Sequence, residues 1–527
     1  MSDQSSLLVE KLWQLKRLID KGECPAVTFV HLNNLLREPG YRADVLRRVE
    51  ATGSDRLKRL ALDIRAADSG VPLMATPASA PQKLVEPEAK STRPSWLRRN
   101  LVWLTPAAVA AAVATVGFTA FEPQTIRVHE DIITDSVWES GKTYILEQPV
   151  FVEGAQLTIE SGVTVKGDYG SALIVTKDSK LLSRGRPESP VVFTSNQPEG
   201  QRARGDWGGV VILGKAPVNQ PSAAIEGVAS NDSRGSFGGD DARHSCGVVE
   251  YTRIEFAGFE VYKNNELNGL TLGGCGSDTI VRNVQVHRAL DDGIEMFGGT
   301  VDLKNIVVTG AADDSIDWDW GWTGRVQFLV VQQHADVGDN AFEGDNNGND
   351  HQARPRSEPV FYNVTLAGTG QTARTHRGMV LREGTGGHFH NMIIDSYGLE
   401  VMDLRDEAAS LVRAGRLSFS NNLIANTGKL GKGTDETGDG DDDYGFNESH
   451  WLMAPANNNQ RRLDSALHVN ARDPQNPHFQ TRVQMRQMTP AEPPKSEFFD
   501  ESATYAGALN PRLQSSWLDG WTDFPAR

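Results

Sequence analysis

Several familiar catalytic signatures are missing from this 527-residue chain. It has no Gly-x-Ser-x-Gly elbow, no phosphate loop and no dinucleotide fingerprint, so the best-marked hydrolase and nucleotide chemistries have no foothold. Cysteine is scarce, with three residues in all. Cationic charge is short too: 53 Lys+Arg stand against 69 Asp+Glu, for a formal net charge of −16. The deficit is uneven. Residues 1–100 hold 17 Lys+Arg and 12 Asp+Glu, a net of +5, so the remainder carries −21. A region that negative repels nucleic acid and anionic lipid, and would need bridging cations to hold an acidic polysaccharide. No nucleic-acid partner is expected.

One stretch, from Leu101 to Phe121, carries no charge at all. It is long enough to cross a bilayer as a helix, although the Ala107 to Ala112 segment is only mildly apolar and Pro106 sits near its start. Arg98 and Arg99 precede it and should stay in the cytoplasm. The chain that precedes it is too long for an ordinary cleaved signal peptide. The expected organisation is a cytoplasmic helical module over 1–67, a flexible linker rich in Pro, Ala, Ser and Glu over 68–97, a signal-anchor helix over 98–121, and an exported domain over 125–527. The protein would then sit in a bacterial inner membrane as a single-pass protein, N-terminus inside. A buried Ala-rich helix is the alternative reading of the same stretch. In the first module Leu8, Leu12, Leu15 and Leu18 fall at helical spacing. A second basic run carries Leu46, Leu57, Leu60 and Ile64. Its partner is not readable from the sequence.

The exported part is repetitive. Asp291-Asp292-Gly293-Ile294-Glu295 returns as Asp313-Asp314-Ser315-Ile316-Asp317, then as Asp339-Asn340-Ala341-Phe342-Glu343. Strand-like phrases keep the same beat: Asn283-Val284, Asn305-Ile306, Gln327-Phe328, Asn363-Val364 and Asn391-Met392 each open an apolar alternation. The step from Val284 to Ile306 equals the step from Ile306 to Phe328, and both equal the step from Asp291 to Asp313. Insertions enter after Phe328. Residues 155–165 alternate as an opening coil should. One supersecondary unit per period, turning at Gly, Asn and Asp, signals a solenoid whose coils bury their apolar faces by stacking. Cys246 and Cys275 are separated by about one coil plus a short loop, on the side of the membrane where disulfides persist. A Cys246–Cys275 bridge is expected, with two free buried cysteines as the alternative. Cys24 stands alone on the other side.

The wording of the repeats resembles a right-handed parallel β-helix of the pectin-lyase-like type. More narrowly, residues 138–524 resemble bacterial envelope β-helix proteins described as lipoproteins or surface proteins. The matching phrases are Gly205-Asp206-Trp207-Gly208-Gly209, Tyr251-Thr252-Arg253-Ile254-Glu255, Asn268-Gly269-Leu270-Thr271-Leu272, His287-Arg288-Ala289-Leu290-Asp291, and the tail Trp517-Leu518-Asp519-Gly520-Trp521. The resemblance implies an all-β solenoid beside a small helical domain and one transmembrane helix. It implies little about activity. No lipobox cysteine appears near the N-terminus, so the helix should be the anchor.

Stacked coils should set carboxylates above one another at about the 4.8 Å strand spacing. Ile294, Ile316 and Phe342 should point inward, sending Glu295, Asp317 and Glu343 outward on one face. Such a column is a turn ladder, a cation site or a catalytic groove. Asp and Asn closing their own turns is the plainest of these. As a cation site it would suit Ca²⁺, which accepts many oxygens in loose geometry, with Glu295, Asp317, Asp339, Glu343, Asp345 and Asp350 as the donors. As a groove it would place Asp291, Asp292, Asp313, Asp314 and Asp317 where polygalacturonases of the same fold carry paired aspartates. The Gly-His-Gly and Arg-Ile-Lys phrases of those enzymes have no counterpart here. The nearest cations in sequence are Arg288, Arg325 and Arg354. Trp318, Trp320 and Trp322 share a strand face that should be core, unless a bend at Gly321 turns Trp320 or Trp322 outward as a sugar-stacking platform. Five scattered histidines, His388 and His390 among them, lack a third ligand for zinc. The expected function is an envelope scaffold or a glycan- or protein-binding module without catalysis. The alternative is a polysaccharide hydrolase or lyase.

Overall fold

A computed structural model of the chain describes residues 39–52, 54–68 and 124–527, apart from 229–230, 263–264, 371–375, 432–444 and 482–488, with scattered positions between 11 and 35. The expected membrane helix at 98–121 and most of the expected linker at 68–97 lie outside the described residues. Among those described, no helix is long and apolar enough to cross a membrane. The chain divides into two compact units, Met1–Gln124 and Thr125–Arg527.

In the first unit, Pro39 opens the helix Pro39–Thr52, a position where its missing N–H costs nothing. The helix Asp55–Ala67 is capped by Ser54, whose side chain accepts from the Leu57 amide. Leu12, Leu15 and Leu18 share one buried cluster with Leu46, Leu57, Leu60 and Ile64, as the helical spacing predicts. Arg42 is fully buried, and its guanidinium meets both carboxylate oxygens of Asp68 at 2.6 and 2.8 Å. The fork-on-carboxylate geometry ties the two helices together.

The second unit is a parallel β-helix. Each central coil gives one short strand to a ten-stranded sheet and one long, bent strand to a seventeen-stranded sheet. Strands begin at Thr125–Val128, so the solenoid starts before the 155–165 segment. In the ten-stranded sheet Leu270, Ile294, Ile316, Phe342 and Met379 form one inward column. Leu272, Met296, Trp318, Gly344 and Leu381 form the next. Both columns feed a core that also holds Phe361 and Phe389, stacked at 5.3 Å between centroids. Cys246 and Cys275 are bonded to each other, with Cα atoms 5.8 Å apart.

The long strands bend at a single residue per coil. Tyr251, Asn283, Asn305, Phe328, Asn363, Asn391 and Asn421 occupy this corner, all with positive φ between 45° and 64°. Asn tolerates the left-handed region better than other non-glycine residues, which explains the asparagine opening most of the apolar phrases. The register corrects one spacing. Ile306 pairs with Leu329, not Phe328, so this coil is longer by one position than the even spacing implies, and Phe328 takes the corner. An aromatic ring there lies outside the core, with Lys304 Nζ 5.7 Å above it.

After the strand Gln460–Arg462 the chain returns along the outside of this corner as a strap. Asn421 donates to the Thr489 carbonyl, Asn391 to Ala491, and Asn363 to Ala503 and Tyr505. Gln327 and Gln285 each exchange two hydrogen bonds with backbone at Asp500 and Asp523. Ala506, Ala508, Leu518 and Trp521 from the strap bury Val307, Val330, Ile393 and Leu423 on the outer sheet face.

Candidate functional site

The acidic column forms as the phrase repeat predicts. Glu295 lies beside Asp317 and Asp317 beside Glu343 on successive strands, while Ile294, Ile316 and Phe342 are buried at the core. One oxygen each of Asp292, Glu295 and Asp317 lie within 4.8 Å of one another, as do oxygens of Asp291, Asp292 and Asp313. Two carboxylates of the repeated phrase serve the turns. Asp292 accepts from the Asp314 amide at 2.9 Å, and Asp314 from the Asn340 amide at 2.7 Å. Each carboxylate closes onto the next coil's equivalent position, so the second Asp of the phrase is a ladder rung between coils.

Burial dominates the electrostatics. It pushes Asp292, Glu295, Asp314 and Asp317 well above the usual carboxylate range, and the neighbouring carboxylates push the same way. Asp319, one position beyond the column on the same face, is pushed up to about 8. Glu343 is pushed up to about 7 by burial, against the pull of Arg382. Asp317 Oδ1 is enclosed and meets no hydrogen-bond partner among the described residues. The amide of Asn268 donates to Glu295 Oε2 and to the Thr271 hydroxyl.

A cation does enter the column, and it is none of the three nearest in sequence. Arg382 Nε donates to both oxygens of Asp345 at 2.9 and 3.0 Å, and its second nitrogen reaches Glu343 at 2.7 Å. Arg325 is instead bound to Asp302. Glu343 and Asp345 are therefore held by an arginine. Asp339 projects toward Arg377 at 3.9 Å, and Asp350 is exposed in its own turn, accepting from the Gln352 amide. The six expected cation donors thus separate into an enclosed group, Glu295 and Asp317, and four residues with other roles.

The face outside the column is roofed. Residues 214–246 leave the solenoid between strands Val210–Leu213 and Gly247–Glu255, and Ala223, Ile225 and Phe237 pack onto Ile174, Val211, Leu213 and Phe297. Glu226 of this roof adds its charge beside Glu295. Asn219 fastens the roof at the Trp320 carbonyl, at Asn346 and at Pro355. Trp322 lies fully in the core beside Trp318, with centroids 6.2 Å apart, so it is no platform. Trp320 does turn outward at a positive φ of 51°, but its ring meets Phe297 at 4.8 Å and Phe237 at 5.9 Å under the roof. His388 and His390 bond Ser418 and Ser420 on the next coil.

Arg382, Asn268, Glu226 and Asp319 were not singled out by the repeat pattern. The first three come from outside the phrase. The register offered one signal for the roof: Val211 pairs with Thr271, although the sequence between them is nearly three coils long.

Chemically the arrangement offers clustered hard oxygens, proton-holding carboxyls near neutrality, and an arginine beside them. The family model for a pectate-lyase-like beta helix domain matches residues 130–522. Comparison with curated proteins and with solved structures gave no match. With three quarters of its length inside that match and its coils stacked as described, the chain belongs to the pectate-lyase-like β-helix family.

Proposed function

We propose that this protein is a membrane-anchored envelope β-helix that binds polysaccharide without cleaving it. The observation that carries the reading is the use of Asp292 and Asp314 as rungs: the pair best placed for hydrolysis accepts backbone amides of the next coil and is buried. The roof over Glu295 and Trp320 supports it too, since a groove for chemistry would be open. Anchoring rests on Leu101 to Phe121 and the basic Arg98-Arg99 flank.

Ca²⁺ is the proposed stabilising ion. The donor set fits: Asp292, Glu295 and Asp317 bring hard oxygens within 4.8 Å, and Asp317 Oδ1 has no partner among the described residues. Glu343 and Asp345 do not fit, because Arg382 already occupies them. Bound calcium would offset the like-charge repulsion of these three groups. Binding only the folded state, it would add about 2.7 kcal/mol at a hundred times its dissociation constant.

A lyase- or hydrolase-type activity is the second reading. Glu343 and Asp319, pushed up to about 7 and about 8, are favourable to it, because a general acid works best with a value near the operating pH. One experiment separates the two. The full chain is incubated with neutral and acidic polysaccharides, with calcium or chelator, and both retention and new reducing or unsaturated ends are measured. Retention without new ends supports binding. New ends that vanish in Asp317→Asn would overturn it in favour of catalysis.

A further inference from the structure

A pocket of about 400 Å³ lies away from the acidic column, between the coil turns and the returning strap. Arg288, Gln333, His334, Asp336, Thr369 and Arg472 line it. The volume is in the range of small-molecule sites, about 300–1,000 Å³.

Two lining groups have no work in the fold. Gln333 is 2% exposed, and neither its amide nitrogen nor its amide oxygen finds a partner among the described residues. A buried amide with both ends unmet is rare enough to mark a ligand or water position. Arg288 is held at a positive φ of 57°, an unfavourable conformation for a long side chain, and its Nε is buried without a partner among the described residues.

The neighbours make the contrast clear. Arg204 is fully engaged, donating to the Gly310 carbonyl at 2.8 Å and to Asp336 at 3.0 Å. That pair cancels its own charge. Among the described residues Arg472 is paired with one carboxylate, Asp395 at 3.7 Å. His334 is kept neutral at ordinary pH, since burial and then Arg204 and Arg288 hold it down to about 3. The pocket therefore carries excess positive charge inside a strongly negative domain.

We propose that this pocket binds one anionic sugar unit, its carboxylate on Arg288 and Arg472 and a ring hydroxyl on the Gln333 amide. Arginine's planar fork matches a carboxylate, and an amide can both donate to and accept from a hydroxyl. A bare oxyanion would leave most of the space empty, because one water's share is about 30 Å³. The inference goes beyond the polysaccharide reading: a chain with no polymer affinity can still bind a monosaccharide here, and failure of either leaves the other standing.

The test is calorimetric titration of the full-length protein at low ionic strength with D-glucuronate, D-glucose and sodium sulfate. Saturable glucuronate binding is expected, with no binding of glucose. Arg288→Gln should weaken glucuronate at least tenfold, and Gln333→Leu should weaken glucuronate while leaving sulfate unchanged. Should Arg288→Gln fail to fold, Arg472→Gln at the half-buried Arg472 carries the test, and unchanged glucuronate affinity there overturns the proposal. It is also overturned if glucose binds as well as glucuronate. Sulfate binding as tightly as glucuronate, with Gln333→Leu neutral to both, would reduce the pocket to an inorganic-anion site.

Discussion

Removing one charge from the acidic column should make this protein more stable above neutrality. The perturbation is Asp317→Asn. Asp317 stands in register between Glu295 and Glu343, within 4.8 Å of oxygens on Asp292 and Glu295. Glu226 and Asp291 face the same group through Glu295, and Arg382 with Asp345 lies on its other side. At that separation and an effective dielectric constant near 20, each like pair costs about 3 kcal/mol when both are charged. The column escapes part of this by holding protons, so a gain of about 2–3 kcal/mol is the reasonable ceiling.

The sign follows from linkage. Asp317, Glu295, Asp319 and Glu343 all have folded values raised above their unfolded ones. The folded state holds protons that the unfolded chain releases, so the stabilisation is present below the unfolded values and fades as pH rises through the folded ones. Buried His334 and His390 act in the opposite sense but are spent above about pH 6.5, where they are neutral in both states. The clean window is therefore about pH 6.5 to 8.5. Urea unfolding in chelator should show the parent losing stability across that window and Asp317→Asn losing less. With millimolar calcium the order should reverse, because the variant lacks a donor. The complementary change, Arg382→Gln, should cost about 2–3 kcal/mol, less than removing one partner of a fully buried pair because the arginine side chain is 32% exposed. Parent stability that is flat or rising from about pH 6.5 to 8.5 in chelator would refute the reasoning. So would Asp317→Asn that destabilises equally at both ends.

Trp521→Ala should cost about 3–5 kcal/mol, since it empties a buried site where the strap meets the sheet face; a urea midpoint change worth under about 1 kcal/mol would show the strap is loosely held. A periplasm-active reporter fused at Arg527 should work and the same reporter near residue 90 should not; the reverse pattern would overturn the proposed orientation.

The solenoid was legible because its signal repeats. Ile294, Ile316 and Phe342 recur at fixed offsets from acidic residues, and a period is a property of the sequence itself. The asparagine corner was visible for the same reason, though its purpose was not: only the fold shows Asn363 and Asn391 reaching outward to a strap far downstream in the chain. Phe328 misled the count because a large apolar residue at a corner looks like a core position. Arg382 and the Asn268 amide were out of reach. Each acts through a contact between distant segments, and a single repeat carries no trace of what crosses it. Trp320 falls between the two cases: core packing was the expectation and an outward turn at Gly321 only its alternative, and the Phe237 and Phe297 rings that cover it were not readable.

The strap has a consequence for how this domain comes apart. A bare solenoid behaves as a row of dominoes, each coil coupled only to its neighbours, and can fray from either end. Here the chain's final segment touches the coils of Asn421, Asn391, Asn363, Gln327 and Gln285 in turn. It links non-adjacent coils into one cooperative unit. No middle coil can open without releasing the strap, and the strap cannot seat until the coils beneath it exist. Assembly would then finish with the strap, which acts as a latch closed over a completed stack.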